Sequence, residues 1–301
     1  MLRSTLLYLS EMRGIQRFIM GHDFSRKSAQ RFVAGEKRQD AIEAARVLNQ
    51  KGIEATLDHL GENVSHESEA AESLAEYLAL LDDIHQSQVR SHISVKLTAL
   101  GLDISRDLCQ QAVRKICQRA RDLGSFVRID MEGSKYTDVT MDVYRSARAE
   151  FENVGLALQA YLYRTEKDVE ELLKLGGKFR LCKGAYKEPA SVAFQAKADV
   201  DKNYVKLMKR LMTSGIYHGI ATHDERIIRT AQEFARQEKL PRSAFEFQML
   251  HGIRRDLQAE LARDFNLRIY VPYGTNWYPY LMRRLAERPA NVWFIVSNAF
   301  R

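Results

Sequence analysis

The sequence predicts an α/β chain of eight strand–helix units closed into a (βα)8 barrel, and three observations carry this. Short apolar or β-branched runs recur with polar residues at their C-terminal ends. Stretches of roughly 20 to 35 residues with helical periodicity separate them. No proline- or serine-rich linker divides the chain, and three of its five prolines, Pro272, Pro279 and Pro289, lie near the end.

In order, the runs are 54–58, 92–96, 126–130, 154–159, 179–183, 216–222, 245–248 and 268–271. Helical periodicity covers 40–51, 68–82, 106–123, 166–175, 200–214 and 226–238, and a last amphiphilic helix covers 278–288. Such repetition forces parallel pairing through right-handed crossovers, and eight units match the closure number of a TIM-like barrel. An open doubly wound sheet is the alternative. No two of the 16 glycines are spaced as GxG, so the usual pyrophosphate turn of that fold is missing. The expected organisation is a helical arm over 1–45 and a barrel over 46–301.

With 301 residues, 45% hydrophobic and 28% charged, the chain is not disordered, collagenous or a small disulfide scaffold. Its longest apolar runs, such as 77–81 and 292–296, are five residues, against about 20 for a membrane span. Leu2, Leu6, Leu9, Met12, Ile15 and Ile19 mark an amphipathic helix that either packs on the core or touches a membrane surface. Arg3, Glu11, Arg13 and Arg17 break any signal sequence, so a cytoplasmic location is expected. Cys109, Cys117 and Cys182 read as free core thiols. The net charge of +7 is spread and interleaved with acids, which reads as a solvated surface and not as a nucleic-acid interface.

Chemistry in such barrels sits at the C-terminal strand ends. Those positions hold Asp58, Lys96, Asp130 with Glu132, Gln159, Lys183, Thr222 with His223 and Asp224, Gln248, and Tyr270. Each alone reads as a satisfied structural polar group; together they read as a site. In the last helix, Arg283 and Glu287 are four apart beside Arg284, which fits either a surface charge stripe or a bidentate carboxylate clamp.

Seven motifs taken together resemble the proline dehydrogenase family: SVKLTALG (94–101), RIDME (128–132), LQAYL (158–162), RLCKGAY (180–186), ATHD (221–224), FEFQMLHG (245–252), and a two-part seventh, YVPYG (270–274) with RRLAE (283–287). The resemblance runs in order from about residue 50 to about 295. It implies a distorted barrel with the final helix over its mouth and FAD across the opening. It implies oxidation of L-proline to 1-pyrroline-5-carboxylate by hydride transfer to the flavin, with electrons passed to a quinone. Arg283, Arg284 and Lys96 would bind the substrate carboxylate, with Glu287 orienting the arginines. Tyr186, Leu250, Tyr270 and Tyr280 would wall the ring, and Tyr280 favours proline over its hydroxylated analogue. Asp130 and Arg180 would be catalytic, Arg180 beside the reactive flavin nitrogen. Met131, Gln159, Arg180, Lys183, Gly184, Ala185, Thr222 and His223 would contact the cofactor. No metal is implied. The base is left open between solvent, Asp130 and a tyrosine. Cys182 departs from the aliphatic residue usual there. The resemblance also admits peripheral contact with the inner face of the membrane, and a separate pyrroline-5-carboxylate dehydrogenase as partner, because the length leaves no room for the aldehyde dehydrogenase domain of bifunctional relatives.

Three other readings compete: a Schiff-base aldolase using Lys96 or Lys183, a metal-dependent hydrolase using His223, Asp224, Asp130 and Asp58, and a non-enzymatic surface-binding protein.

Overall fold

A computed structural model describes residues 31–287, apart from the side chains at 283 and 285–287. The expected helix over 1–20 and the last residues of the expected barrel lie outside this range.

Eight strands form a closed, all-parallel barrel in chain order. They are β1 (Glu54–His59), β2 (Ser91–Val95), β3 (Val127–Ile129), β4 (Val154–Gln159), β5 (Lys178–Cys182), β6 (His218–Ala221), β7 (Phe245–Leu250) and β8 (Leu267–Tyr273). The open-sheet alternative is thereby removed, since β8 pairs with β1 from Glu54↔Arg268 to His59↔Tyr273. The helices are α1 (Arg38–Gln50), α2 (Glu67–Ser87), α3 (Arg106–Asp122), α4 (Thr137–Glu150), α5 (Thr165–Leu173), α6 (Lys197–Met212), α7 (Glu225–Gln237), α8 (Arg255–Asp264) and α9 (Trp277–Glu287). Helices α4 and α8 fill the two intervals where periodicity had set no bounds.

Local chemistry starts several of these helices. Ser105 accepts from Leu108 N at the head of α3, and Asp224 accepts from Arg226 N at the head of α7. Helix α1 packs on both β1 and β8, running across residue 45, the end of the expected arm. It occupies the flank that the helix after the last strand covers in a regular barrel. Helix α9 is thus left to lie over the mouth, where Tyr280 and Arg284 face the strand tips.

The barrel's interior is polar near its N-terminal end. Arg268 pairs with Glu246 at 2.8 Å and donates to Ala55 O at 2.8 Å. Gln248 donates to Glu246 at 2.7 Å. Two glycines make the room: a Cβ at Gly155 would stand 2.5 Å from the Arg128 guanidinium, and one at Gly219 would stand 2.4 Å from Gln248 Nε2. Cys109 and Cys117 are core thiols as expected. Cys182 is not: it is half-buried and opens onto the cavity described below.

His218 is fully buried, its Nδ1 accepting from Phe179 N at 3.0 Å. Burial, with Arg128 and Arg210 adding to it, pushes its pKa down to about 3. A histidine held below its unfolded value stabilises the fold above pH ~6.5 and loses that contribution as pH falls towards the folded value. At pH 5 the loss is about 2 kcal/mol. The urea midpoint is expected to fall between pH 7 and pH 5, and less steeply in His218→Asn, whose amide oxygen can take the same backbone N–H. Equal slopes in parent and variant would contradict this.

Candidate active site

A cavity of about 450 Å³ opens at the C-terminal ends of the strands, beneath α9. Strand β1 contributes Asp58, the residue after β2 is Lys96, and β3 runs out into Asp130 and Met131. Gln159 comes from β4, Arg180 from β5, and Lys183, Gly184, Ala185 and Tyr186 from the loop after it. Thr222 and His223 follow β6, Leu250 ends β7, Tyr270 lies on β8, and Tyr280 and Arg284 descend from α9. Every expected site residue whose side chain is described therefore lines one cavity. Arg283 and Glu287 lie on α9, but their side chains are outside the description.

The floor is a buried set of charges. Asp130 pairs with Arg180 and accepts from Ser94 Oγ at 2.6 Å and Tyr270 O–H at 2.9 Å. Lys96 donates to both oxygens of Asp58 at 2.7 Å and stands 3.9 Å from Asp130. Two carboxylates thus face two cations. Burial works against the charge of Asp130, but Arg180 and Lys96, then hydrogen bonds from Ser94 and Tyr270, hold its pKa below the usual range. Burial, then Asp130 and Asp58, drive the Tyr270 phenol well above its ordinary value. Tyr270 therefore stays a donor, with Arg180 5.2 Å from its ring centre.

The walls suit a flat heteroaromatic group such as a flavin. Gln159 Nε2 is spent on Met131 O and Glu132 O at 3.1 and 3.2 Å, which leaves its buried Oε1 without a protein donor. A buried acceptor of this kind calls for a ligand N–H. Gly184, at φ +119°, sits so close to Tyr161 that a Cβ would lie 2.4 Å from the ring, so no side chain juts into the cavity there. His223 Nε2 accepts from Leu250 N at 2.9 Å, which places the ring hydrogen on Nδ1. Lys183 pairs with Asp201 and Asp224, and Lys197 pairs with the same two carboxylates. Any phosphate reaching Lys183 would compete with them.

Two strand-end candidates have other work. Glu132 accepts from Thr98 N and Oγ1 at 3.1 and 2.6 Å, a buried structural bond. Gln248 touches the cavity but is tied to Glu246. Sequence reasoning missed Ser94, Lys197 and Asp201; the last two sit four apart at the start of α6, and nothing local says that they meet Lys183.

The geometry also weighs against the competing chemistries. Lys96, held protonated by Asp58, is no nucleophile. Asp58, Asp130 and Asp224 are all spent on cations, and His223 Nε2 on a backbone N–H.

Comparison with known proteins places the chain in a family. The sequence pattern of the proline dehydrogenase family matches residues 41–297. Proline dehydrogenase 1 of Bacillus subtilis (strain 168) is 40% identical over 302 residues, covering 100% of both chains. Proline dehydrogenase of Deinococcus radiodurans is 41% identical over 279 residues, covering 91% of this chain and 90% of its own. Among solved structures, proline utilization A from Bdellovibrio bacteriovorus inactivated by N-propargylglycine superposes with a TM-score of 0.82 at 25% identity. That match covers 87% of this chain and 33% of the larger one. With a buried two-cation, two-carboxylate floor under an arginine-bearing helix, and with full-length relatives of this kind, the chain belongs to the proline dehydrogenase family of oxidoreductases.

Proposed function

We propose that this chain oxidises L-proline to 1-pyrroline-5-carboxylate with FAD as its cofactor, passing the electrons to a quinone and the product to a separate dehydrogenase. The observation that carries the reading is the meeting of Arg284, from the final helix, with Lys96, Arg180 and Gln159, from the strand tips, around one cavity. A bound flavin supplies the two-electron acceptor. Gln159, Gly184, Thr222 and His223 would hold it, and Arg180 would offer it a fixed positive charge.

Arg284, with Arg283 and Lys96, would bind the substrate carboxylate, and Glu287 would orient the arginines. Leu250, Tyr186, Tyr270 and Tyr280 would enclose the apolar ring. The ring nitrogen must reach its neutral form before the adjacent carbon can release hydride. Asp130, held ionised below the carboxylate range, and Tyr270, held protonated, are both poor bases at neutral pH. That proton is therefore assigned to solvent, and the protein's part is positioning. No helix among the described residues is long and apolar enough to cross a membrane. In this reading, electrons would reach a membrane quinone through peripheral contact from the cytoplasmic side.

The test is the absorption spectrum of the purified protein before and after anaerobic L-proline. Flavin bands that bleach on addition are expected; a protein with flavin bands that proline leaves unchanged would overturn the reading.

A further inference from the structure

We propose that Asp58 is a positioning residue that keeps Lys96 charged and aimed into the proline pocket, and so sets the alkaline limit of substrate binding. This rests on the substrate assignment above. Lys96 lies one residue past β2 and is 7% exposed. An ammonium so placed sheds its proton unless an anion stands beside it. Asp58 takes that place by geometry: it is 0% exposed, sits beside Ser94 in the β1–β2 register, and holds Lys96 Nζ at 2.7 Å with both oxygens, and while burial raises its own pKa, Lys96 pulls against that rise.

The chelate takes two of the three ammonium hydrogens and leaves the third on the side of Tyr270, whose hydroxyl is 3.5 Å away at the cavity wall. Asp130 cannot replace Asp58. It is already engaged by Arg180, Ser94 and Tyr270, and Lys96 lies 3.9 Å from it, beyond a hydrogen bond.

The other ionisable groups acting on Lys96 or its surroundings come from several elements. They are His59 of β1, Glu62 after it, Tyr77 of α2, Asp130 and Glu132 after β3, Arg180 of β5, Tyr270 of β8 and Arg284 of α9. Burial opposes the charge of Lys96, but Asp58, followed by Asp130, outweighs it and raises its pKa. Without the Asp58 charge, Lys96 and Arg180 would share Asp130 as their paired carboxylate, with Glu62 adding only a weaker pull on the lysine. The arginine would keep its proton, so the lysine would be the group to lose one.

The experiment follows proline-dependent reduction of the flavin-loaded enzyme from pH 6 to pH 10. In Asp58→Asn the proline KM is expected to rise about tenfold at pH 8, and the alkaline limit to move down by about one pH unit or more. Asp58→Asn combined with Lys96→Arg should lose that shift, because a guanidinium needs no partner to stay charged. A merely structural role for Asp58 would change the constants evenly at all pH values, and a profile parallel to the parent's overturns the proposal. Should the variants fail to fold, competitive acetylation of Lys96 by acetic anhydride in the parent enzyme reports the same property. An apparent pKa above the ordinary lysine value is expected, and one at or below it overturns the proposal. A parent enzyme that proline does not bleach sinks the substrate assignment, while acetylation of the parent and of Asp58→Asn, compared, still decides whether Asp58 holds the charge of Lys96.

Discussion

Arg284→Ala is expected to raise the proline KM about a hundredfold while flavin stays bound. Arg284 is only 9% exposed and lines the cavity from α9, with its guanidinium carbon 5.2 Å from the centre of the Tyr280 ring. Losing one member of a desolvated, charge-assisted contact costs about 2–5 kcal/mol, and about 3 corresponds to the hundredfold change. The effect should fall on KM more than on kcat, since saturating proline refills the site without changing the chemistry at the ring carbon. Arg284→Lys should restore only part of the affinity, because an ammonium lacks the planar fork that grips both carboxylate oxygens. Steady-state kinetics against proline concentration checks this; a KM within twofold of the parent would remove Arg284 from the clamp.

Asp130→Ala should be more damaging, and to stability as well as turnover. Asp130 is the partner of Arg180 and accepts from Ser94 and Tyr270, all in the buried floor. Without it, Arg180 loses the one carboxylate it pairs with among the described residues and Lys96 loses its second, and a buried cation stripped of its partner costs about 3–5 kcal/mol. Urea unfolding should show a loss of that order, and proline-dependent flavin reduction should fall about a thousandfold as Arg180 moves. Asp130→Asn keeps one acceptor oxygen, enough for Ser94 or Tyr270 but not both, so it should recover part of the stability and little of the rate. A fully stable Asp130→Ala enzyme would show that the floor does not depend on this carboxylate.

The barrel was legible because its signals are local. Each strand is a short apolar run and each helix a periodic stripe, and the runs end in the polar residues that line the cavity, Lys96, Asp130, Gln159 and Thr222 among them. Strand limits slipped by a few residues where apolar character outlasts pairing: the run expected over 216–222 pairs only across His218–Ala221. Cys182 was misplaced for a related reason. A thiol on a strand looks like core from composition, whereas its position at the last residue of β5 puts it on the cavity.

Periodicity determined the number of strand–helix units, their order, and the residues at the strand tips. It could not decide which acid meets which cation, because Lys96 and Asp58 are 38 residues apart and Arg180 and Asp130 are 50 apart. Nor could it show that α1 takes the flank between β8 and β1, freeing α9 to bring Arg284 over the opening. Those choices belong to the tertiary structure: closing the barrel brings distant strand tips within hydrogen-bonding range, and burial there makes the pairing of charges decisive.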